Sequence, residues 1–252
     1  MLKLIKFEFR KIFRSKYMYI IFGIGLALTL LAVPMVNLVN MMAEMTGEPT
    51  IPYSGYYAGK SALTSMFALM TGIFIGIFAC EDFSKGTNRN IIAKGYHRLS
   101  LFYSKYLVSL ILCIGYALIT VLLSLGLGYA IYGDGGMTVD DNVFVIFICQ
   151  LVCVIGYHAF FFAVSYSLGR TAPAIAINIV VPSALELIIT IIDILINSDE
   201  FLLSNFVIDG ALANLSATYT NTSIILPSML VIVGYIALSN GLGILVASKK
   251  QF

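Results

Sequence analysis

Charge is what this chain has least of. Asp, Glu, Lys and Arg make up 11% of its 252 residues, against 60% apolar residues and a mean hydropathy of +0.95. Soluble domains carry about a quarter charged residues, so the soluble class is excluded and a polytopic membrane protein is expected. A net charge of +2, with the signs segregated along the chain, also argues against nucleic acid as a partner. Four cysteines (Cys80, Cys113, Cys149, Cys153) all fall in apolar runs, so no disulfide framework is implied. Cys149 and Cys153 share a helix face but lack nearby His or carboxylate partners and read as small buried hydrophobes, while His158 has no second ligand at metal spacing and reads as a hydrogen-bonded helix contact, with no metal site. There is no HExxH pair, no GxSxG elbow and no pair of intramembrane aspartates from which to name a catalytic residue.

A phosphate-binding loop is missing as well. Gly55-Tyr-Tyr-Ala-Gly59-Lys60-Ser61 imitates one, but it has three residues between its glycines where the cradle needs four, and it opens an apolar run rather than an α/β domain. Any use of ATP therefore needs a partner.

What the chain does have is oil in six lengths. Spanning helices need about twenty mainly apolar residues, and the runs Tyr17–Asn37, Ser61–Cys80, Tyr106–Tyr129, Val143–Ser167, Ala172–Ile192 and Ile225–Ala247 qualify. Basic residues cluster before the first run, in the segment from Glu81 and near the C-terminus, whereas Lys60 stands alone on the other side. The positive-inside rule then puts both termini in the cytoplasm of a multi-pass cell-membrane protein. Acids such as Glu44, Glu48, Asp134, Asp140, Asp141, Asp199, Glu200 and Asp209 fall outside.

Residues 1–16 interleave charge and oil at helical period. Leu2, Ile5, Phe9, Ile12 and Phe13 make one face and Lys3, Lys6, Arg10 and Arg14 another, so an amphipathic helix in the inner interface is expected rather than a signal peptide. The longest polar interruption is 81–105, EDFSKGTNRNIIAKGYHRLSLFYSK. Within it Asn88 to Lys94 spells about two helical turns, opened by Gly86 and Thr87 and closed by Gly95 at a C-cap position. A plain positive-inside connector explains the charges but not this glycine-bracketed helix. In the second run Gly72 and Gly76 allow close helix contact. The segment 193–224 is too long for a turn, and its apolar spacing predicts one or two short outer helices broken at Asp209-Gly210.

The sixth feature is a polar stripe. Asn178, Pro182, Glu186, Thr190, Asp193 and Asn197 follow at three- and four-residue steps on the fifth span. Glu186 lies well inside it, where a charge costs about 2.5 to 3.5 kcal/mol and seldom faces lipid. Either the stripe borders a path or dimer seam, or Glu186 makes a structural hydrogen bond to a neighbouring span.

The order Glu81, Asp82, Phe83, then Ser84-Lys85-Gly86-Thr87, Ile91-Ile92, Lys94-Gly95, Arg98 and Ser104-Lys105 resembles the cytoplasmic loop of permeases of type-2 ATP-binding-cassette exporters, of the peptide-export or bacteriocin-immunity kind. The resemblance implies an all-α permease, 1–252 as one transmembrane domain, with re-entrant helices between spans five and six. It implies that the stub is a coupling helix seated on a separate ATPase, contacted through Glu81, Asp82, Lys85, Gly86, Thr87, Arg89, Ile91, Lys94, Gly95 and Arg98. The N-terminal helix becomes an elbow helix, with Phe7, Glu8, Lys11 and Arg14 at or near the ATPase; a purely lipid-binding anchor explains its basic face equally well. It further implies a dimer with a second permease chain, ATP and Mg bound by the partner and no cofactor in this chain, and export of an amphipathic or antimicrobial peptide or similar hydrophobic cargo along the Asn178–Asp193 stripe. An ATP-independent secondary transporter would need ion-binding acids and usually an internal repeat, and no repeat relates 1–130 to 131–252. An intramembrane enzyme is a third possibility.

Overall fold

A computed structural model describes residues 2–47, 53–63, 65–133, 142–196, 203–217 and 222–249. The acids Glu48, Asp134, Asp140, Asp141, Asp199 and Glu200, and Asn197 of the polar stripe, lie outside the described residues. The regular structure among those described is all helical. In chain order the helices are α1 (Leu2–Phe13), α2 (Lys16–Thr46), α3 (Gly55–Lys60), α4 (Ser65–Ser84), α5 (Thr87–Ala93), α6 (Arg98–Tyr132), α7 (Val143–Leu168), α8 (Thr171–Ile196), α9 (Ile208–Ser216) and α10 (Thr222–Lys249), with a 3₁₀ turn at Leu203–Phe206. Six of them (α2, α4, α6, α7, α8, α10) are long and apolar enough to cross a membrane, so the chain is a multi-pass membrane protein.

The six spans divide into two sets. Of the most apolar stretch of each, 61%, 44% and 50% is buried in α4, α6 and α7, but only 17%, 6% and 11% in α2, α8 and α10. The first three therefore form the core and the others flank it. Aromatic rings fill that core: Tyr116 stacks between Phe22 (4.4 Å) and Phe67 (5.2 Å), and Phe102 meets Phe162 and Tyr166 edge-on. With lipid tails as apolar as the side chains, such helices associate by packing, and small residues set the distance. A Cβ on Gly76 would stand 2.8 Å from Ile175 Cγ1, which is the close α4–α8 contact expected of the Gly72/Gly76 pair.

The spans extend beyond their apolar limits at the end where α1 lies. α4 runs on through Ser84 and α6 starts already at Arg98, with His97 Nδ1 accepting from Leu99 N–H as its cap. About half of the polar interruption 81–105 is thus the ends of two helices, because charge buried there is neutralised between helices and gives neither a reason to unwind.

Two elements went unread or misplaced in the sequence. α3, within the Gly55–Lys60 segment, is a buried helix capped by the Ser54 hydroxyl, which accepts from Tyr57 N–H. It lies against α6, where Gly128 has Gly55 and Ala58 as neighbours so close that a Cβ would stand 2.4 Å from that of Ala58. The break expected at Asp209-Gly210 falls instead at Val207, and both residues belong to the first turn of α9. An acid there is compatible with the helix because it faces the positive end of the dipole.

α9 is re-entrant. The Tyr157 hydroxyl donates to Asp209, and Gln150 Nε2 donates to Ser216 Oγ at 3.3 Å, so α9 runs antiparallel to α7. Tyr157 sits about 21 Å into a helix about 39 Å long at 1.5 Å per residue, which carries Asp209 to mid-span depth. Asp209 is therefore not a solvent-side loop acid.

Candidate functional site

At one end of the bundle the chain gathers α1, the ends of α4 and α6, and α5. Three carboxylates and three ammoniums meet there. Lys105 of α6 contacts Asp82 of α4 and lies 3.4 Å from Glu8 of α1; Lys11 of α1 also bonds Asp82 and lies 3.2 Å from Glu81; Lys85 closes on Glu81 at 2.5 Å one helical turn away. Glu8, Asp82 and Lys105 are fully buried, whereas Lys85 is 63% exposed, so that last pair is solvated and weak. The cluster also answers a local problem of α4, which carries Glu81 and Asp82 at its C-terminal, negative end. Burial raises the Glu8 carboxyl above the usual carboxylate range, with Lys105 opposing. Burial works against the Lys11 charge too, but Asp82 outweighs it and holds the ammonium above the ordinary lysine value.

This geometry corrects the faces read for the N-terminal helix. Its buried side is Leu4, Glu8 and Ile12, while Leu2, Phe7 and Phe13 are exposed, as are Lys3, Lys6, Arg10 and Arg14. Glu8 therefore faces inward, and Lys11, four-fifths buried, is spent on Asp82. Of the loop residues, Asp82 is internal and Glu81 half-buried; neither is a free surface acid.

α5 stands between two glycines in the left-handed region, Gly86 (φ +66°) and Gly95 (φ +86°), with Lys94 as its C-cap. It packs on α4. Gly86, Thr87, Ile91 and Arg98 are half-buried, whereas Asn90, Ala93, Lys94 and Gly95 are exposed; the backbone of Arg89 lies within the helix. The helix falls one residue earlier than its sequence pattern, since Gly86 rather than Thr87 ends the preceding turn.

The polar stripe of α8 does not act as a unit. Asn178 is buried and its Nδ2 donates to Gly72 O and Ser165 Oγ, both at 3.0 Å, tying α8 to α4 and α7. Asp193 accepts from Leu203 N–H (2.7 Å) and Ser204 N–H (2.9 Å), capping the 3₁₀ turn. Thr190 is exposed and bonds back to Glu186 O at 2.8 Å. Glu186 is exposed on the α8 face, and with Pro182 and Asn178 it lines a cavity of about 120 Å³ between α4, α7, α8 and α9. The structural hydrogen bond considered for Glu186 is absent among the described residues.

His158 does make the helix contact read for it, lying 2.7 Å from Ser109 Oγ. The Ser109 hydroxyl also lies 3.0 Å from the carbonyls of Lys105 and Tyr106, and the direction of its bond to His158 follows the imidazole tautomer. The four cysteines are free thiols, all buried. No group of His, Cys, Asp and Glu among the described residues is placed to hold a metal.

No curated protein matches the chain. The ABC-2 family transporter protein profile matches residues 4–193, about three quarters of the chain, spanning α1, the ion-pair cluster, α5 and most of α8. The matched stretch takes in α1 and the first five spans, and the chain belongs to the ABC-2 family as a transmembrane subunit of an ATP-binding-cassette transporter.

Proposed function

We propose that this subunit is an export permease driven by a separate cytoplasmic ATPase, which binds ATP and Mg and docks on α5 as the coupling helix and on the exposed side of α1 as the elbow helix. Two permease chains, identical or paralogous, form the path in the cell membrane, with both termini cytoplasmic. The observation that supports this is the buried ion-pair cluster. Asp82 is held by lysines from two other helices, so a displacement of α5 that pulls on α4 is passed to α1 and α6 rather than absorbed by a loose loop. A mere connector between spans needs no such linkage. The exposed residues Asn90, Ala93 and Lys94 supply the surface an ATPase groove can grip, while Lys3, Lys6, Arg10 and Arg14 of α1 suit anionic headgroups.

The cargo we infer is an amphipathic or antimicrobial peptide, or similar hydrophobic molecule. The test is co-expression of the chain with the ATP-binding-cassette ATPase encoded nearest its gene. Recovery of the two together, ATP hydrolysis by the pair but not by the chain alone, and loss of both by Lys94→Glu combined with Gly95→Pro are expected. Hydrolysis by the purified chain alone, or normal assembly and transport in the double variant, would overturn the reading.

A further inference from the structure

Asn178, Glu186 and Asp209 come from two separate elements, yet they line the same cavity of about 120 Å³. A second cavity, of about 160 Å³, lies on the other side of Pro182 and is walled by Tyr157, Phe160, Leu185, Ile189 and Tyr235. Pro182 and Asp209 line both, so the two spaces adjoin: the larger is mainly apolar and aromatic, and the smaller adds Asn178, Ser183 and Glu186 to an otherwise apolar wall. Both lie near mid-span. Glu186 is about 22 Å along α8 at 1.5 Å per residue, about halfway, as Tyr157 is in α7.

Three features make the polar half a receptor for positive charge. No ion pair involves Glu186 or Asp209 among the described residues; the one hydrogen bond shown to either carboxylate is that of the Tyr157 hydroxyl to Asp209. Asn178 is 2% exposed and its Nδ2 is used twice, but its Oδ1 is buried and accepts nothing. Pro182 has no N–H to give the Asn178 carbonyl four residues back. Acceptors at this depth without donors are costly, and two carboxylates without a cation more so.

We propose that these adjoining cavities form one binding site for an amphipathic primary ammonium or guanidinium, such as a basic side chain flanked by apolar residues. The cation sits between Glu186 and Asp209, beside Asn178, while the apolar part fills the space beside Tyr157, Phe160 and Tyr235. Aromatic faces add attraction for the cation as it enters. The inference rests on the permease reading in that the site would hold cargo, and it narrows that cargo to cations bearing N–H groups.

The test is equilibrium dialysis of 4-phenylbutylammonium against the full-length chain in lipid nanodiscs, with unlabelled compound defining the saturable part. Saturable binding is expected; it weakens about tenfold in Glu186→Gln and in Asp209→Asn, and further in the double variant. The trimethylammonium analogue, which lacks N–H donors, should bind less well, and 4-phenylbutyrate not at all. Glu44→Gln, which removes an exposed acid of α2, should bind as the unmodified chain does. Asp209→Asn keeps an acceptor for Tyr157, and variants are compared only as monodisperse preparations. Equal binding of the carboxylate, or undiminished binding in the double variant, would overturn the site. Recovery with the ATPase is scored separately: cation binding lost in the Glu186 and Asp209 variants with assembly intact supports the site and leaves the permease reading standing, while cation binding absent from the unmodified chain condemns the site alone.

Discussion

Asp82 is the residue on which the α1 end of the molecule turns. It is the only acid in the cluster that touches two lysines from two different helices, and both it and Lys105 are shut off from solvent. Removing one partner of a buried pair costs about 3 to 5 kcal/mol, because the remaining charge stays buried. Asp82→Ala leaves Lys105 with only the longer contact to Glu8, at 3.4 Å, and is expected to lose that much, read as a lower melting temperature in detergent. Glu8 should behave differently although it is equally buried. Its carboxyl is pushed toward the neutral form by burial, so Glu8→Gln is expected to cost less than about 1 kcal/mol, an ordinary hydrogen-bond difference. Equal losses in the two variants would show that the cluster shares its charge evenly and that Asp82 is not its hinge.

At the scale of elements, α5 depends on two glycines and α3 on one contact. L-residues pay roughly 1 to 2 kcal/mol in the left-handed region, and a Cβ on Gly95 meets nothing within 4 Å. Gly95→Ala should therefore be mild, whereas Gly95→Pro removes the N–H that bonds Ile92 O at 2.9 Å and cannot reach φ +86°. Amide exchange across Thr87–Ala93 should rise strongly in the proline variant and little in the alanine one. For α3, Gly128→Leu places a branched side chain where a single Cβ already clashes with Ala58; displacement of α3 and a cost above about 3 kcal/mol are expected, checked by melting and by labelling of buried Lys60.

These elements also mark how much the sequence could tell. The six spans, the amphipathic α1 and the glycine-bracketed α5 were legible because each is a local pattern: apolar length, 3.6-residue period, turn residues at fixed offsets. α3 was not, because a six-residue helix held by Gly55, Ala58 and Gly128 depends on a contact seventy residues away in the chain. Glu8 looked like a surface acid and Asp209 like a loop acid for the same reason; their partners, Lys105 and Tyr157, are named by packing alone. The stripe on α8 was real as a spacing, but Asn178 and Asp193 had already been claimed by neighbours.

For the whole molecule, a three-helix core of α4, α6 and α7 carries three loosely held spans, and the end with α1 and α5 is tied by charge while the opposite end is tied by α3 and α9. In the proposed reading the end with α1 and α5 is the stiff coupling end, and the flanking spans move against lipid or a second chain. The most direct test is crosslinking in native membranes between single cysteines at Asn90 or Lys94 and the co-expressed ATPase, with Leu122 on the exposed face of α6 as the comparison site and the four native thiols left in place because all are buried. The account predicts crosslinked permease–ATPase product from Asn90→Cys and Lys94→Cys and none from Leu122→Cys. An ATPase that co-purifies with the chain yet crosslinks to neither α5 position would contradict it.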